Sequence, residues 1–187
     1  MTTPHRSRRG TAGFTLIEIL VVLLVMGLLL TFMLPSFLKM IQKQKLVGAA
    51  QQTAILLRLA RLQAIKTATN TVVQIDTTKG TVTAFGDPNN NNTFDAGETM
   101  LGRVDLPKGV TFMAVSGFTS PPTPAVAIFT SNGSVSAVGA FRVQNAAGDQ
   151  IEARVLTATS GRVVLQKNDG TGNWLPNGEG TQAWKFN

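Results

Sequence analysis

The N-terminal part of the chain is dominated by one long run of apolar residues. From residue 14 to residue 34 the only polar side chains are Thr15, Glu18 and Thr31. At about 1.5 Å per residue, a helix of this length crosses a hydrocarbon core of ~30 Å. The apolar part of a signal peptide is shorter, usually about 7–15 residues, and this run continues through Pro35 into further helix-forming sequence. The pattern therefore predicts a retained transmembrane helix over residues 14–35.

Residues 36–69 contain strong helix formers and no proline, which predicts an amphipathic continuation of the same helix. Apolar side chains recur there with helical spacing, whereas the cations fall largely elsewhere. We expect this stripe to be buried against a sheet and the helix to end near residues 67–70. The stripe consists of Ile55, Leu59 and Leu62, widened by Leu56, Ala60 and Ile65.

Beyond residue 70 the pattern changes to short runs of β-branched and aromatic residues separated by Gly, Asn and Asp. Such runs predict antiparallel strands joined by hairpins, with turns at residues 77–80, 131–134 and 145–149. The Pro-rich stretch 116–125 is typical of a surface loop, and Trp174 and Trp184 are expected to pack the last part of the chain against the domain. We therefore predict an α+β fold, in which a long N-terminal helix packs on an antiparallel β-sheet ectodomain over residues 70–187. The predicted strand runs are TVVQID, TVTAF, MLGRVDL, VTFMAV, VAIFT, AFRVQ, IEARVLTA and RVVLQ.

The composition argues against catalysis. The 187 residues include no Cys and no Tyr, and the single His, His5, lies in the basic segment ahead of the apolar run. Most acid–base and nucleophilic mechanisms therefore lack their usual residues. No glycine-rich phosphate loop follows a predicted strand. We expect a protein that is not an enzyme.

The stretch RRGTAGFTLIEILVVLLVMGLLL resembles the leader of type IV prepilins, in which a short basic peptide and a Gly precede Phe-Thr-Leu-Ile-Glu and an apolar helix. The resemblance implies that a prepilin peptidase cuts between Gly13 and Phe14 on the cytoplasmic side and that the new amino terminus is methylated. Residues 1–13 would then be a leader peptide. Pro35 also fits this family, in which a Pro after the apolar stretch marks a bend or a segment that melts on assembly.

Glu18 is the one carboxylate within the apolar run. A Phe14 ammonium and a Glu18 carboxylate would each be costly alone in hydrocarbon but compensate each other as a pair. The resemblance implies that Glu18 meets the amino terminus of a neighbouring pilin-like subunit and so fixes the register of stacked helices. The alternative is that Glu18 lies near the membrane interface and extends its carboxylate to water.

The stretch DPNNNNTFDAGE, residues 87–98, has the ligand spacing of an EF-hand calcium loop. Its sixth position is Asn92 instead of Gly, a mild departure because Asn tolerates left-handed φ, and strand-like sequence flanks it. With three carboxylates we expect weak Ca²⁺ binding, with a Kd of ~10⁻⁴–10⁻³ M. The alternative is a solvated Asn-rich hairpin that binds nothing. The candidate ligands are Asp87, Asn89, Asn91, Asp95 and Glu98, with the Thr93 carbonyl at the seventh position.

Residues 127–165 resemble the C-terminal half of the H-type minor pseudopilins and their pilus relatives, with matching positions at Phe129, Gly133, Phe141 and 160–163. The resemblance implies a minor pilin-like structural subunit of a type II secretion system that assembles into a periplasmic pseudopilus for protein export. It also implies a single-pass protein of the cell inner membrane, with a cytoplasmic N-terminus and a periplasmic ectodomain. Its partners would be other pilin-like subunits.

A minor type IV pilin that serves pilus assembly or DNA uptake is the alternative. Some pilus relatives capture DNA through a G-R-x-R patch, and here Gly161 and Arg162 match but Val164 replaces the second arginine. The formal net charge is +7, but without Arg6, Arg8 and Arg9, which lie ahead of the apolar run, about +4 remains. Such a charge is only mildly attractive to phosphates. We favour a scattered, solvated cationic surface, and the alternative is that these cations cluster across neighbouring strands and contact phosphates. The candidate DNA contacts are Arg142, Arg154, Arg162 and Lys167.

Overall fold

The computed structural model describes residues 13–113, 117–118 and 125–176. The predicted leader residues 1–12, most of the predicted loop 116–125 and Trp184 lie outside this part of the chain. The chain divides into two compact units, Met1–Lys39 and Met40–Asn187. The described residues form one helix, α1 (Leu16–Thr67), and nine strands, β1 (Thr71–Asp76), β2 (Thr81–Gly86), β3 (Met100–Asp105), β4 (Val110–Phe112), β5 (Ala125–Phe129), β6 (Gly139–Asn145), β7 (Gln150–Val155), β8 (Val163–Asn168) and β9 (Trp174–Pro176).

Helix α1 includes Pro35 in its interior. Because proline has no N–H, the carbonyl of Thr31 loses its usual helical donor at this point. The hydroxyl of Thr31 in turn donates to the carbonyl of Gly27 at 2.9 Å. The prediction that helical sequence continues beyond Pro35 agrees with these bounds, and α1 ends at Thr67.

Within the second unit, α1 buries a face made mostly of small side chains. The prediction that the Ile55, Leu59 and Leu62 stripe is buried was wrong, because these side chains are 58%, 38% and 62% exposed. Ile65 is exposed as well, and only Leu56 and Ala60 of the predicted set are buried. The buried positions are Leu46, Ala49, Ala50, Thr53, Ala54, Leu56, Leu57, Ala60 and Ala64.

Small side chains on the buried face let the helix lie close to the strands. At Gly102 in β3, an added Cβ would lie 2.8 Å from Cδ2 of Leu56, which is less than real side chains tolerate. The alanines leave room for the larger side chains of the sheets, including Phe129 and Phe141, which share one core cluster with Leu57 and Ala60. The helix face with the largest apolar side chains is therefore not the face that packs against the sheets.

Two antiparallel sheets make up the rest of the second unit. One has the strand order β3-β2-β1-β5 and the other β4-β6-β7-β8-β9. The predicted turns at 77–80 and 145–149 join β1 to β2 and β6 to β7. The turn at 131–134 closes only an isolated bridge between Phe129 and Val135, and β5 and β6 belong to different sheets. Strand β9 was not predicted.

The hydrophobic core lies between α1 and both sheets. One cluster joins Leu57 of the helix to Val73 of the first sheet and Phe141 of the second. A second cluster joins Leu46 to Val143 and other residues of the second sheet. The antiparallel strands and the single long helix confirm the predicted α+β fold class.

Candidate functional site

Gly13 and Phe14, which the sequence singled out, lie just before α1, and Glu18 lies in its first turn. The N–H of Glu18 donates to the hydroxyl of Thr15 at 3.3 Å and to its carbonyl at 3.1 Å. Thr15 therefore caps the helix, and Glu18 occupies the third helical position, where a carboxylate also interacts favourably with the helix dipole. Gly13, Phe14 and Glu18 are all exposed.

The described apolar residues of the first unit are exposed. Among the described residues, α1 is the single helix long and apolar enough to cross a membrane, with a mean hydropathy of 2.8 over its most apolar stretch. None of that stretch is buried. An apolar surface of this size is stable only when lipid or another protein covers it.

The loop over residues 87–98 begins at Asp87, which has no exposed surface. Its carboxylate accepts hydrogen bonds from the N–H groups of Asn91, at 3.1 Å, and Asn92, at 2.9 Å. The loop thus curls around Asp87. Asn90 and Asn92 take positive φ values of 59° and 61°, which agrees with the expectation that Asn92 can replace Gly at the sixth position.

The other candidate calcium ligands converge on Asp95. Its Oδ2 accepts from the side-chain amides of Asn89, at 3.1 Å, and Asn91, at 2.5 Å. The N–H of Asp95 donates to Oε2 of Glu98 at 3.0 Å, while Oε1 of Glu98 is buried without a hydrogen-bond partner. The N–H of Thr93 donates to Oδ1 of Asn91 at 2.8 Å. The structure therefore brings Asn89, Asn91 and Glu98 to Asp95.

Three contacts hold this loop on the domain. The ring of Phe94 meets the edge of Phe85 in β2, with centroids 5.4 Å apart. The amide of Asn70, just after α1, donates to Oδ1 of Asn90 at 2.6 Å, and the Asn70 carbonyl accepts from Asp87 N–H at 2.8 Å. In the described part of the chain no group of three or more His, Asp or Glu side chains is placed to hold a metal. A cation here would therefore need the amide and backbone oxygens in addition to the carboxylates.

The four candidate DNA contacts do not form one patch. Arg142 and Arg154 flank Glu152, a fully buried carboxylate, with Nε–O distances of 2.8 Å and 3.0 Å. The Arg142 contact is a hydrogen bond, whereas the Arg154 contact is an ion pair whose two atoms lack hydrogen-bond geometry. The Arg142 guanidinium also lies 4.8 Å from the Trp174 ring centroid.

Lys167 and Arg162 lie elsewhere. Lys167 pairs with Ile151 across β7 and β8, and side chains alternate along a strand, so it lies on the opposite face from Glu152. Burial lowers the pKa of Lys167, an effect that Asp149 opposes and Lys43 reinforces. Arg162 lies in the turn before β8. Lys167 therefore does not share the sheet face on which Arg142 and Arg154 flank Glu152.

A cluster that the sequence did not reveal lies where α1 meets this turn. Arg58, Arg61 and Leu62 of α1 line a cleft of about 290 Å³ with Gly161, Arg162 and Val163. The guanidinium of Arg58 donates to the Val163 carbonyl at 3.2 Å, and that of Arg61 donates to the Gly133 carbonyl at 3.1 Å.

Glycine is needed twice beside this cleft. Gly133 and Gly161 have φ values of 80° and 54°. A Cβ on Gly161 would lie 2.7 Å from the Gly133 carbonyl oxygen and 3.0 Å from Cδ of Arg61. The glycines that carried the pseudopilin resemblance therefore share one site with Arg61. No local sequence pattern indicates this site, because Gly133 and Gly161 lie far along the chain from Arg58 and Arg61.

The exposed apolar first half of α1, and the antiparallel sheets that cover one face of its second half, define a pilin-like class of protein. The profile of the GspH family, described as type II transport protein GspH, matches residues 49–161. The prokaryotic N-terminal methylation motif matches residues 8–34. The chain belongs to the GspH family, which confirms the resemblance found in the sequence.

Solved structures of low sequence identity are similar to the chain. Two are of the minor pseudopilin EpsH from the type 2 secretion system of Vibrio cholerae, and both are 15% identical with TM-scores of 0.49. The first match covers 68% of this chain and 98% of the EpsH chain, and the second covers 75% and 99%. The type IV minor pilin FimU of Pseudomonas aeruginosa is 17% identical, with a TM-score of 0.47, and the match covers 65% of this chain and 87% of that one. No curated protein sequence matches the chain.

Proposed function

We propose that this GspH-family protein is a minor pseudopilin of a type II secretion system, anchored in the inner membrane and assembled with other pilin-like subunits into a periplasmic pseudopilus. The observation that carries the proposal is the family match over residues 49–161, together with the methylation motif over residues 8–34. The fully exposed apolar stretch of α1 supports it, because such a stretch needs lipid before assembly and neighbouring helices afterwards.

The first turn of α1 provides the chemistry of assembly. After cleavage behind Gly13, the ammonium of Phe14 and the carboxylate of Glu18 would lie four residues apart at the helix start. Each charge is costly in a low-dielectric bundle unless it is compensated. Glu18 would therefore pair with the amino terminus of a neighbouring subunit and set the stagger between the two helices. Thr15 keeps the first turn helical, so that the carboxylate is held in place.

The test of this function is deletion of the gene in its native host, followed by complementation with the full chain. A secretion subunit is needed for export of the substrates of the system, whereas a pilus subunit is needed for surface pili, twitching or DNA uptake. We expect loss of export with pili unaffected. Normal export with loss of pili would contradict the proposal and favour a minor type IV pilin.

We also propose that loop 87–98 binds Ca²⁺ weakly and so stiffens the ectodomain. The supporting observation is that Oε1 of Glu98 is buried without a hydrogen-bond partner. A cation bound in the loop would accept a lone pair from this oxygen. The loop already gathers Asp87, Asn89, Asn91 and Asp95 around one turn. Thr93 would contribute its carbonyl, as the spacing predicts.

A further inference from the structure

Helix α1 has an apolar stripe on the side that faces away from the core of the second unit. Ile55, Leu59 and Leu62 recur at intervals of four and three residues and therefore share one face. They are 58%, 38% and 62% exposed, whereas Leu57 is fully buried. A position two residues along a helix lies ~200° around its axis, so this stripe is opposite the packed face.

The same helix segment is strongly cationic. Residues 36–67 contain six cations, Lys39, Lys43, Lys45, Arg58, Arg61 and Lys66, and no carboxylate. Arg58 and Arg61 line the cleft beside Leu62, and Arg162 lines it from the turn before β8. A guanidinium carries five N–H donors. Arg58 uses one of its nitrogens in the hydrogen bond to the Val163 carbonyl, and Arg61 uses one in the hydrogen bond to the Gly133 carbonyl. These hydrogen bonds fix two of the cations at the rim of the cleft.

We propose that this arginine–leucine face, made of Ile55, Arg58, Leu59, Leu62 and Arg162, docks a carboxylate-bearing apolar segment of a neighbouring pilin-like subunit. This inference rests on the proposed function, in which the neighbour is another pilin-like subunit of the pseudopilus. Charge complementarity determines the chemistry of the occupant: apolar side chains cover the leucines while carboxylates reach the guanidinium groups, which bind carboxylates with two parallel hydrogen bonds. The face would give the ectodomain a subunit contact of its own, distinct from pairing at Glu18.

The experiment is site-specific photo-crosslinking of the full chain in its native host. A benzoylphenylalanine residue replaces Leu62, and a matched control replaces Thr78, an exposed residue of the β1–β2 turn. Mass spectrometry then identifies the peptide joined to each position. We expect the Leu62 position to join a peptide of a different chain that carries its own prepilin motif, at a yield at least about fivefold above the Thr78 position.

Several outcomes would overturn the inference. They are adducts with lipid, with a second copy of this chain, or with residues 177–187 of the same chain, and a yield no higher than at Thr78. If export and filament incorporation stay normal in such a case, the docking face is wrong and the proposed function stands. If the deletion strain exports normally, the proposed function itself is wrong.

Charge variants test the carboxylate part of the inference. Arg58→Glu combined with Arg162→Glu should lower the crosslinking yield at Leu62 at least about fivefold, because like charges would meet across the contact. Arg103→Glu is the control, since Arg103 is exposed on β3 and pairs with Asp105. Resistance to proteolysis shows whether each variant folds, and Arg162→Gln is a milder variant if the double change does not. An unchanged yield in a folded variant would contradict electrostatic docking.

Discussion

Nε of Arg142 lies 2.8 Å from Oε2 of Glu152, a carboxylate that has no exposed surface. Arg154 approaches the other carboxylate oxygen at 3.0 Å. Two residues that the sequence offered as DNA contacts are thus engaged with a buried acid of their own sheet. Removing that acid would leave two partly buried guanidinium groups facing each other.

We predict that Glu152→Gln destabilises the ectodomain by about 3 kcal/mol, because breaking a buried ion pair leaves uncompensated charge. Urea unfolding of the full chain in detergent, followed by tryptophan fluorescence, measures this change. Asp105→Asn is the matched control: Arg103 and Asp105 also lie 2.8 Å apart, but both are exposed, and the expected loss is below ~1 kcal/mol. Equal losses in the two variants would contradict the assignment.

The orientation of α1 gives a second prediction. Ala60 is fully buried, so Ala60→Leu should overpack the core and destabilise the fold by roughly 1–3 kcal/mol. Leu62→Ala, on the exposed stripe, should change the free energy of unfolding by less than about 1 kcal/mol. The same urea titration compares them. A larger loss for Leu62→Ala would mean that the sequence-predicted stripe is the buried one after all.

Glu18 lies at the third helical position, and the proposed function gives it an assembly role as well; three variants separate the two. Glu18→Gln keeps a side chain suited to the third helical position but removes the charge, whereas Thr15→Ala removes the cap and keeps the charge. We predict that Glu18→Ala and Glu18→Gln insert into the membrane but lower incorporation into filaments, while Thr15→Ala incorporates nearly normally. Membrane fractionation and quantification of the chain in sheared filaments provide the two readouts. Undiminished incorporation of Glu18→Gln would show that charge pairing is not needed.

The calcium proposal predicts stabilisation by linkage. With a Kd of ~10⁻⁴–10⁻³ M, 5 mM Ca²⁺ should stabilise the folded state by about 1–2 kcal/mol, measured as a rise in Tm. Glu98→Gln should abolish the rise. Asp169→Asn should retain it, because Asp169 lies in a different loop, where bonds from the Thr171 hydroxyl and N–H hold the pKa of its carboxyl low. A Tm that is equal with and without Ca²⁺ would defeat the proposal.

Local patterns predicted much of this fold, and tertiary context decided the remainder. Strand Thr71–Asp76 follows from its β-branched residues, and the long apolar helix follows from the length of its apolar run. The buried face of α1 does not, because alanines such as Ala49 and Ala60 are chosen for close approach to the sheets and contribute little hydrophobic signal. The short edge strand β9 also has too few residues for a pattern.

The candidate sites likewise divide into one that local sequence predicts and one that depends on tertiary packing. The ligand spacing of loop 87–98 is local in sequence, and the structure brings those side chains together. The cleft of Arg58, Arg61 and Arg162 joins residues about a hundred positions apart. Its formation depends on how the turn before β8 packs on α1, which no local pattern encodes.

The most direct test of the whole account is the intact mass of the protein purified from the membranes of its native host. The account predicts a chain that begins at Phe14, carries one methyl group on its amino terminus and fractionates with the membrane or with sheared filaments. A chain that retains residues 1–13, or one recovered as a free soluble protein, would contradict it.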